Sequence, residues 1–176
     1  IWQIDTGTEY DTTVPVYGVS NAPLVEGNLL IAVVGGFPDA KLVAFDKATG
    51  EEAWRALEMT SEPGYSSPIV INAGGARQLI FWHATALTSL NPETGEIYWE
   101  QEFVLDNGLS ITTPVRSGQY LVTSQFRNGS MMMALNNDRP EARMLWKGRS
   151  RSELPHLTDG LHSIISTPII IGDHLY

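Results

Sequence analysis

The residues best suited to chemistry lie in one stretch, HLTDGLH, where His156, Asp159 and His162 recur at every third position. Neutral imidazoles and a carboxylate are competent ligands for a transition metal. On a helix this spacing would share one face. Pro155 and Gly160 instead make the stretch a loop, and the competing reading is a polar loop with His162 packed near a central channel. Arg139, Arg143, Lys147, Arg149 and Arg151 gather five of the 11 basic residues. They suit an acidic partner, or simply a solvated strand edge and loop. Ser, His and Asp are present, but no G-x-S-x-G elbow presents a nucleophile. Gly35-Gly36 and Gly74-Gly75 neither open a helix nor carry the lysine of a phosphate loop, so both read as hairpin turns. Met131, Met132 and Met133 read as strand packing rather than metal ligands. Asn128-Gly129-Ser130 satisfies a glycosylation sequon, although an Asn-Gly hairpin turn already accounts for it.

Composition narrows the classes further. The chain has 176 residues and no cysteine, which removes disulfides, zinc-thiolate sites and thiol nucleophiles together. Twenty acidic against 11 basic residues give a net charge of −9, unsuited to a nucleic-acid or anionic-membrane surface. No apolar run is long enough for a membrane-spanning helix. The chain opens inside an apolar segment and stops at IIIGDHLY, in what reads as a new strand, so it reads as a fragment.

The elements that must position these residues come in copies. A small or polar pair before proline and an apolar residue recurs as NAPL, SSPI, TTPV and STPI, with Pro23, Pro68, Pro114 and Pro168 spaced by 45, 46 and 54. Trp54, Trp99 and Trp146 keep step at 45 and 47, and Trp2 stands where a preceding copy would end. Within each period, short apolar or β-branched runs alternate with turn chemistry, and no stretch holds a 3.6-residue apolar period. Four strands per period of this length predict an all-β fold, a β-propeller of four-stranded antiparallel blades. The blades are expected at residues 22–57, 67–103 and 113–148, with the next beginning at 167–176, all within one partial domain spanning 1–176. A β-sandwich is the competing architecture, but it does not require the repeated anchors.

The phrase AFDKATGEEAW returns as SLNPETGEIYW. Its pattern Ala-x-Asp-x-x-Thr-Gly-x-x-x-Trp resembles the tryptophan-docking motif of PQQ-like repeat β-propellers. That family includes quinoprotein dehydrogenases and the lipoprotein of the outer-membrane barrel assembly machinery. Ala44, Asp46, Thr49, Gly50 and Trp54 fill every position; Ser89 and Asn91 replace the first two in the second copy, while Thr94, Gly95 and Trp99 remain. In the third copy Ala134, Asn136 and Trp146 survive, but the Thr-Gly turn is lost and two extra residues intervene.

The resemblance implies a ring of seven to eight blades, with each Trp docked near its own motif's glycine and against the neighbouring blade. It also implies a periplasmic, cell-envelope or secreted location. The loops preceding the anchor prolines, carrying Tyr17, Tyr65 and His162, are then the place for a protein or polymer partner. The leading expectation is a non-catalytic scaffold with no cofactor, completed by the remaining blades. The alternative is a dehydrogenase holding PQQ and calcium. Members of that branch generally stack the quinone between a Trp and a vicinal cysteine pair, and this chain has no cysteines. Trp82, the one Trp outside the docking phrase, reads as a mid-strand core or interblade residue.

Overall fold

A computed structural model describes residues 1–127, 129–150, 152, 154–158 and 160–176. It contains three four-stranded antiparallel sheets, each a meander in chain order. Blade 1 is β1 (Leu24–Glu26), β2 (Leu29–Val33), β3 (Leu42–Asp46) and β4 (Glu52–Ala56). Blade 2 is β5 (Ile69–Ala73), β6 (Ala76–Trp82), β7 (Ala86–Leu90) and β8 (Ile97–Glu102). Blade 3 is β9 (Val115–Ser117), β10 (Tyr120–Gln125), β11 (Gly129–Leu135) and β12 (Ala142–Lys147). A hairpin of β13 (Ile170–Ile171) and β14 (His174–Leu175) follows. Asn128, proposed as half of the turn before β11, lies outside the described residues. Sequence periodicity left almost no room for helix; among the described residues the one α-helix is α1 (Thr6–Tyr10), whose start is capped by Asp5 accepting from the Gly7 and Thr8 amides.

The blades stack because their central strands are apolar on both faces. Alternate side chains of a strand point to opposite sides. In β6, Leu79 and Phe81 therefore join Ile31, Leu42, Ala44 and Trp54 of blade 1. Ile80 and Trp82 join Leu121, Met131, Met133 and Leu135 of blade 3. Trp82 closes β6 rather than standing mid-strand, and its fully buried ring lies 6.0 Å from that of Phe103. The other face of blade 1 packs Val43 and Phe45 against Tyr10, with Trp2 and Ile4 alongside.

The docking phrase builds the same turn twice. Asp46 Oδ1 accepts from the Ala48 and Thr49 amides, which holds its carboxyl below the usual range, and Gly50 takes φ +82°. Asn91 Oδ1 accepts from the Glu93 amide, and Gly95 takes φ +76°. Such turns need a residue tolerant of positive φ. The tryptophans, however, do not sit at their own glycines. A Cβ on Gly50 would lie 2.5 Å from the Trp2 ring, and one on Gly95 would lie 2.7 Å from the Trp54 ring. Each ring thus covers the glycine of the following copy, and its N–H reaches that turn's backbone: Trp2 Nε1 to Lys47 O at 3.1 Å and Trp54 Nε1 to Pro92 O at 3.1 Å. The reason is steric: a left-handed glycine without a Cβ leaves a bare backbone surface on which the ring from the preceding copy can lie.

The third copy departs. Its turn keeps the Asn136 bonds to the Asp138 and Arg139 amides, but Pro140 stands where the earlier copies turn through Thr-Gly. Trp54 and Trp99 pair across the sheet with Ala44 and Ser89, whereas Trp146 pairs with Met132. The two extra residues lie in β12, where the bulge moves up the strand and leaves Trp146 37% exposed.

Candidate binding face at the loop end of the blades

The residues before each anchor proline tie the blades together. Ala22 N donates to Ser67 Oγ at 2.9 Å, and Asn21 Nδ2 to Ser66 O at 2.7 Å. Ser66 Oγ donates to Thr112 O at 3.0 Å, and Thr113 N to Thr167 Oγ1 at 3.2 Å. Each bond joins residues about one repeat apart. Proline has no N–H to give, so the preceding pair supplies the polar groups. The sequence displayed these residues only as markers. Their signal was the recurrence of hydroxyl and amide types at that place.

Above this belt the connecting loops gather. Tyr65 N donates to Ser110 O at 3.0 Å, and Gly64, at φ +88°, lies so close to Ser110 that a Cβ would come within 2.0 Å of its Oγ. This locks the loop after β4 onto the loop after β8. Between them lies a recess of about 650 Å³, walled by Tyr17, Ser61, Glu62, Tyr65, Val104 and Asn107 among others. Tyr65 is 7% exposed and Tyr17 is 72% exposed, and their rings meet edge to face at 5.8 Å. The Tyr65 hydroxyl donates to Glu62 Oε2 at 3.0 Å and accepts from Tyr17 N at 3.4 Å. Burial, with the Glu62 carboxylate adding to it, holds the Tyr65 phenol above its usual range, so it remains a neutral donor. Among the described residues, Ser61 Oγ on the recess wall is buried without a hydrogen-bond partner. Val16 and Val104 line the recess and stand exposed. An apolar rim around a few placed polar groups suits binding of another molecule's surface.

Tyr17 and Tyr65 therefore meet, while His162 stands elsewhere. Its Nε2 lies 2.7 Å from Phe126 O, at the blade 3 loop. His156 is exposed on a short 3-10 turn, Pro155–Leu157, and Asp159 lies outside the described residues. Among the described residues, no group of three His, Cys, Asp or Glu side chains is placed to hold a metal ion. Of the basic cluster, Arg139 pairs with Glu141 at 3.4 Å and Lys147 Nζ sits 4.0 Å from the Phe103 ring centre; Arg151 lies outside the described residues.

Among the described residues, two buried basic side chains escaped the sequence reading. His83 is 1% exposed, with Nε2 at 2.8 Å from Thr88 Oγ1 and Nδ1 at 3.2 Å from Thr85 Oγ1. Burial pushes it down to about 4, so it is neutral at ordinary pH. Thr88 in turn donates to Glu100 Oε2 at 2.9 Å, an arrangement that satisfies every polar atom of the imidazole and leaves none for a reactant. Lys41 is also fully buried. Its Nζ lies 3.4 Å from the Phe37 ring centre and donates to Gly35 O at 3.3 Å, and burial lowers its pKa. No periodicity marks either residue.

Among the described residues, no helix is long and apolar enough to cross a membrane. The chain is 28% identical over 136 residues to the quinoprotein alcohol dehydrogenase PedH of Pseudomonas putida, covering 68% of this chain and 22% of that protein. Its fold matches the crystal structure of BamB from Moraxella catarrhalis with a TM-score of 0.54 at 18% identity, covering 90% of this chain and 46% of the other. The chain thus spans less than half the length of either protein. Repeat, docking phrase and stacked four-stranded sheets agree with the family model that matches residues 1–176, and the chain belongs to the family described as outer membrane protein assembly factor BamB.

Proposed function

We propose that this chain is part of a non-catalytic binding propeller of the cell envelope that presents its loop end to a protein partner, as a component of outer-membrane protein assembly. The observation that carries this reading is the recess walled by the touching Tyr17 and Tyr65, with Val16 and Val104 exposed at its edge beside a locked pair of loops. Aromatic side chains at a largely apolar hollow with a few placed polar groups are how protein interfaces concentrate their affinity. The matching family's description supplies the process.

The dehydrogenase reading fits these residues less well. Trp82 is fully buried against Phe103 and offers no ring face on which a quinone could stack, and Trp2 and Trp54 cover glycines of neighbouring copies. Among the described residues, these three rings are already packed, which disfavours a quinone seat on them.

The test uses the whole protein in its own cell. Replacing Tyr17 with Ala and Val16 with Asp is expected to lower the amount of assembled outer-membrane β-barrel protein without lowering the level of the variant. Normal assembly with a stable variant would overturn the loop-end reading. Dye-linked alcohol oxidation on adding PQQ and Ca²⁺ to the purified whole protein would favour the enzyme instead.

A further inference from the structure

We propose that the opposite end of the molecule carries a second site, a recess between blades 2 and 3 that binds a carboxylate group through Arg116. The proposal does not rest on the loop-end reading.

The recess, of about 520 Å³, lies where the β5–β6 and β9–β10 hairpins meet the turn after β11. Both of its walls belong to complete four-stranded blades. Its polar lining consists of Asn72, Arg77, Arg116, Gln119, Asn136 and Asn137, with no Asp or Glu. Arg116 breaks the repeat. The second residue after each anchor proline is Val25, Val70, Arg116 and Ile170, so a guanidinium stands where three copies carry a branched aliphatic side chain.

The neighbouring seam shows what such a group is suited to hold. Between blades 1 and 2, Arg77 donates from Nε and Nη2 to the two oxygens of Glu26, and its Nη1 reaches Asn72 Oδ1 at 3.2 Å. That fork is filled by a carboxylate of the protein itself. Arg116, by contrast, spends only its Nε, on Gly118 O at 2.8 Å, and that bond fixes the plane of the guanidinium. Among the described residues, no carboxylate pairs with its two terminal nitrogens. Asn136 keeps its Oδ1 on the Asp138 and Arg139 amides, so its NH₂ is left to donate elsewhere. With Arg77 neutralised by Glu26, the lining has one uncompensated positive charge.

A planar monoanion matches this donor set. Arginine pairs with carboxylates through two parallel hydrogen bonds, and the neighbouring amides can take the remaining lone pairs. The net charge of −9 disfavours polyanions at long range. The carboxylate could belong to a free small acid or to a peptide, and the test separates them.

The backbone amides and the Arg116 Nε–H of the isotopically labelled full chain would be followed by NMR during titration with sodium acetate, with Gly-Gly carrying a free C-terminus, with its amidated form, and with inorganic phosphate. The proposal expects saturable shifts at Gly75, Gly118 and Arg116 with acetate and the free peptide, and none with the amide. A tighter fit for the peptide than for acetate assigns the site to a chain terminus, and equal affinities assign it to a free acid. Arg116→Gln is expected to weaken binding about tenfold or more, from the loss of a charge-assisted pair, while Arg143→Gln on β12 leaves it unchanged. Arg116 is exposed, and the variant's own spectrum reports its fold. Absence of saturation, phosphate binding as tight as acetate, or unchanged affinity in Arg116→Gln would each overturn the assignment.

Discussion

The seam between blades 1 and 2 and the seam between blades 2 and 3 are made from the same repeat yet close differently. In the first, Trp54 lies buried over Gly95 with its N–H on the turn, and Arg77 bridges to Glu26. In the second, the ring is half-buried and its N–H turns back to Gln78 Oε1 of its own blade at 2.9 Å. There the third turn has no glycine to accept a ring. Its Arg139 carbonyl rests on Gly74 instead, where a Cβ would lie 1.9 Å away. Contact between two backbones replaces contact between a ring and a backbone, and the hairpin end is left open beside Arg116. A lapse in the repeat is thus where a surface feature arises.

The contrast is most exposed to test at the tryptophans. Trp54→Ala is expected to cost roughly 3 to 5 kcal/mol, and Trp99→Ala roughly 2 kcal/mol because that ring is only partly buried. Urea denaturation of the two variants checks it, and equal losses would erase the distinction between the seams. Glycine replacements come next. Gly74→Ala must move one backbone off another as well as hold φ +60°, and should lose roughly 2 to 4 kcal/mol. Gly95→Ala meets a ring that can shift and should lose less. Gly27→Ala, at φ +56° with open space around it, isolates the backbone strain at about 1 kcal/mol.

Titration of His83 should weaken both seams together, since β6 beside it feeds both cores. Above pH 6.5 the imidazole is neutral folded and unfolded, and its neutral burial costs nothing extra. As pH falls from 6.5 towards about 4, the unfolded chain takes up a proton that the folded one refuses, and stability drops by roughly 3 kcal/mol. Below about 4 the folded imidazole protonates as well and the loss levels off. Comparing urea midpoints of the protein and His83→Gln across this range removes the contribution of the carboxylates. A difference that does not change with pH would show that His83 is not held neutral. The smallest change is expected from Glu26→Gln, which opens a half-exposed ion pair and should matter less as salt is added.

Much of the architecture was legible because it is local. Turn residues, strand-length apolar runs and a period of 45 to 46 residues between the first anchors sit within short windows of sequence. The meeting of Tyr17 with Tyr65 was legible only as shared membership of the loop end. The belt of bonds before the prolines, the burial of His83 and Lys41, and the separation of His162 from both tyrosines were not visible. Each depends on which segments fold back against one another.

By itself, then, the sequence determined that copies of one blade would form, because Asp46 and Thr49 accept from amides within three residues of themselves and Gly50 supplies the positive φ of the turn. Only the tertiary structure decided that Trp54 would cover Gly95 rather than Gly50, and that Arg116 would stand without a carboxylate among the described residues while Arg77 found Glu26. The physical reason is range. A turn is selected by hydrogen bonds along the chain, whereas a seam is selected by which surfaces, about one repeat apart, can approach closely enough to exclude water.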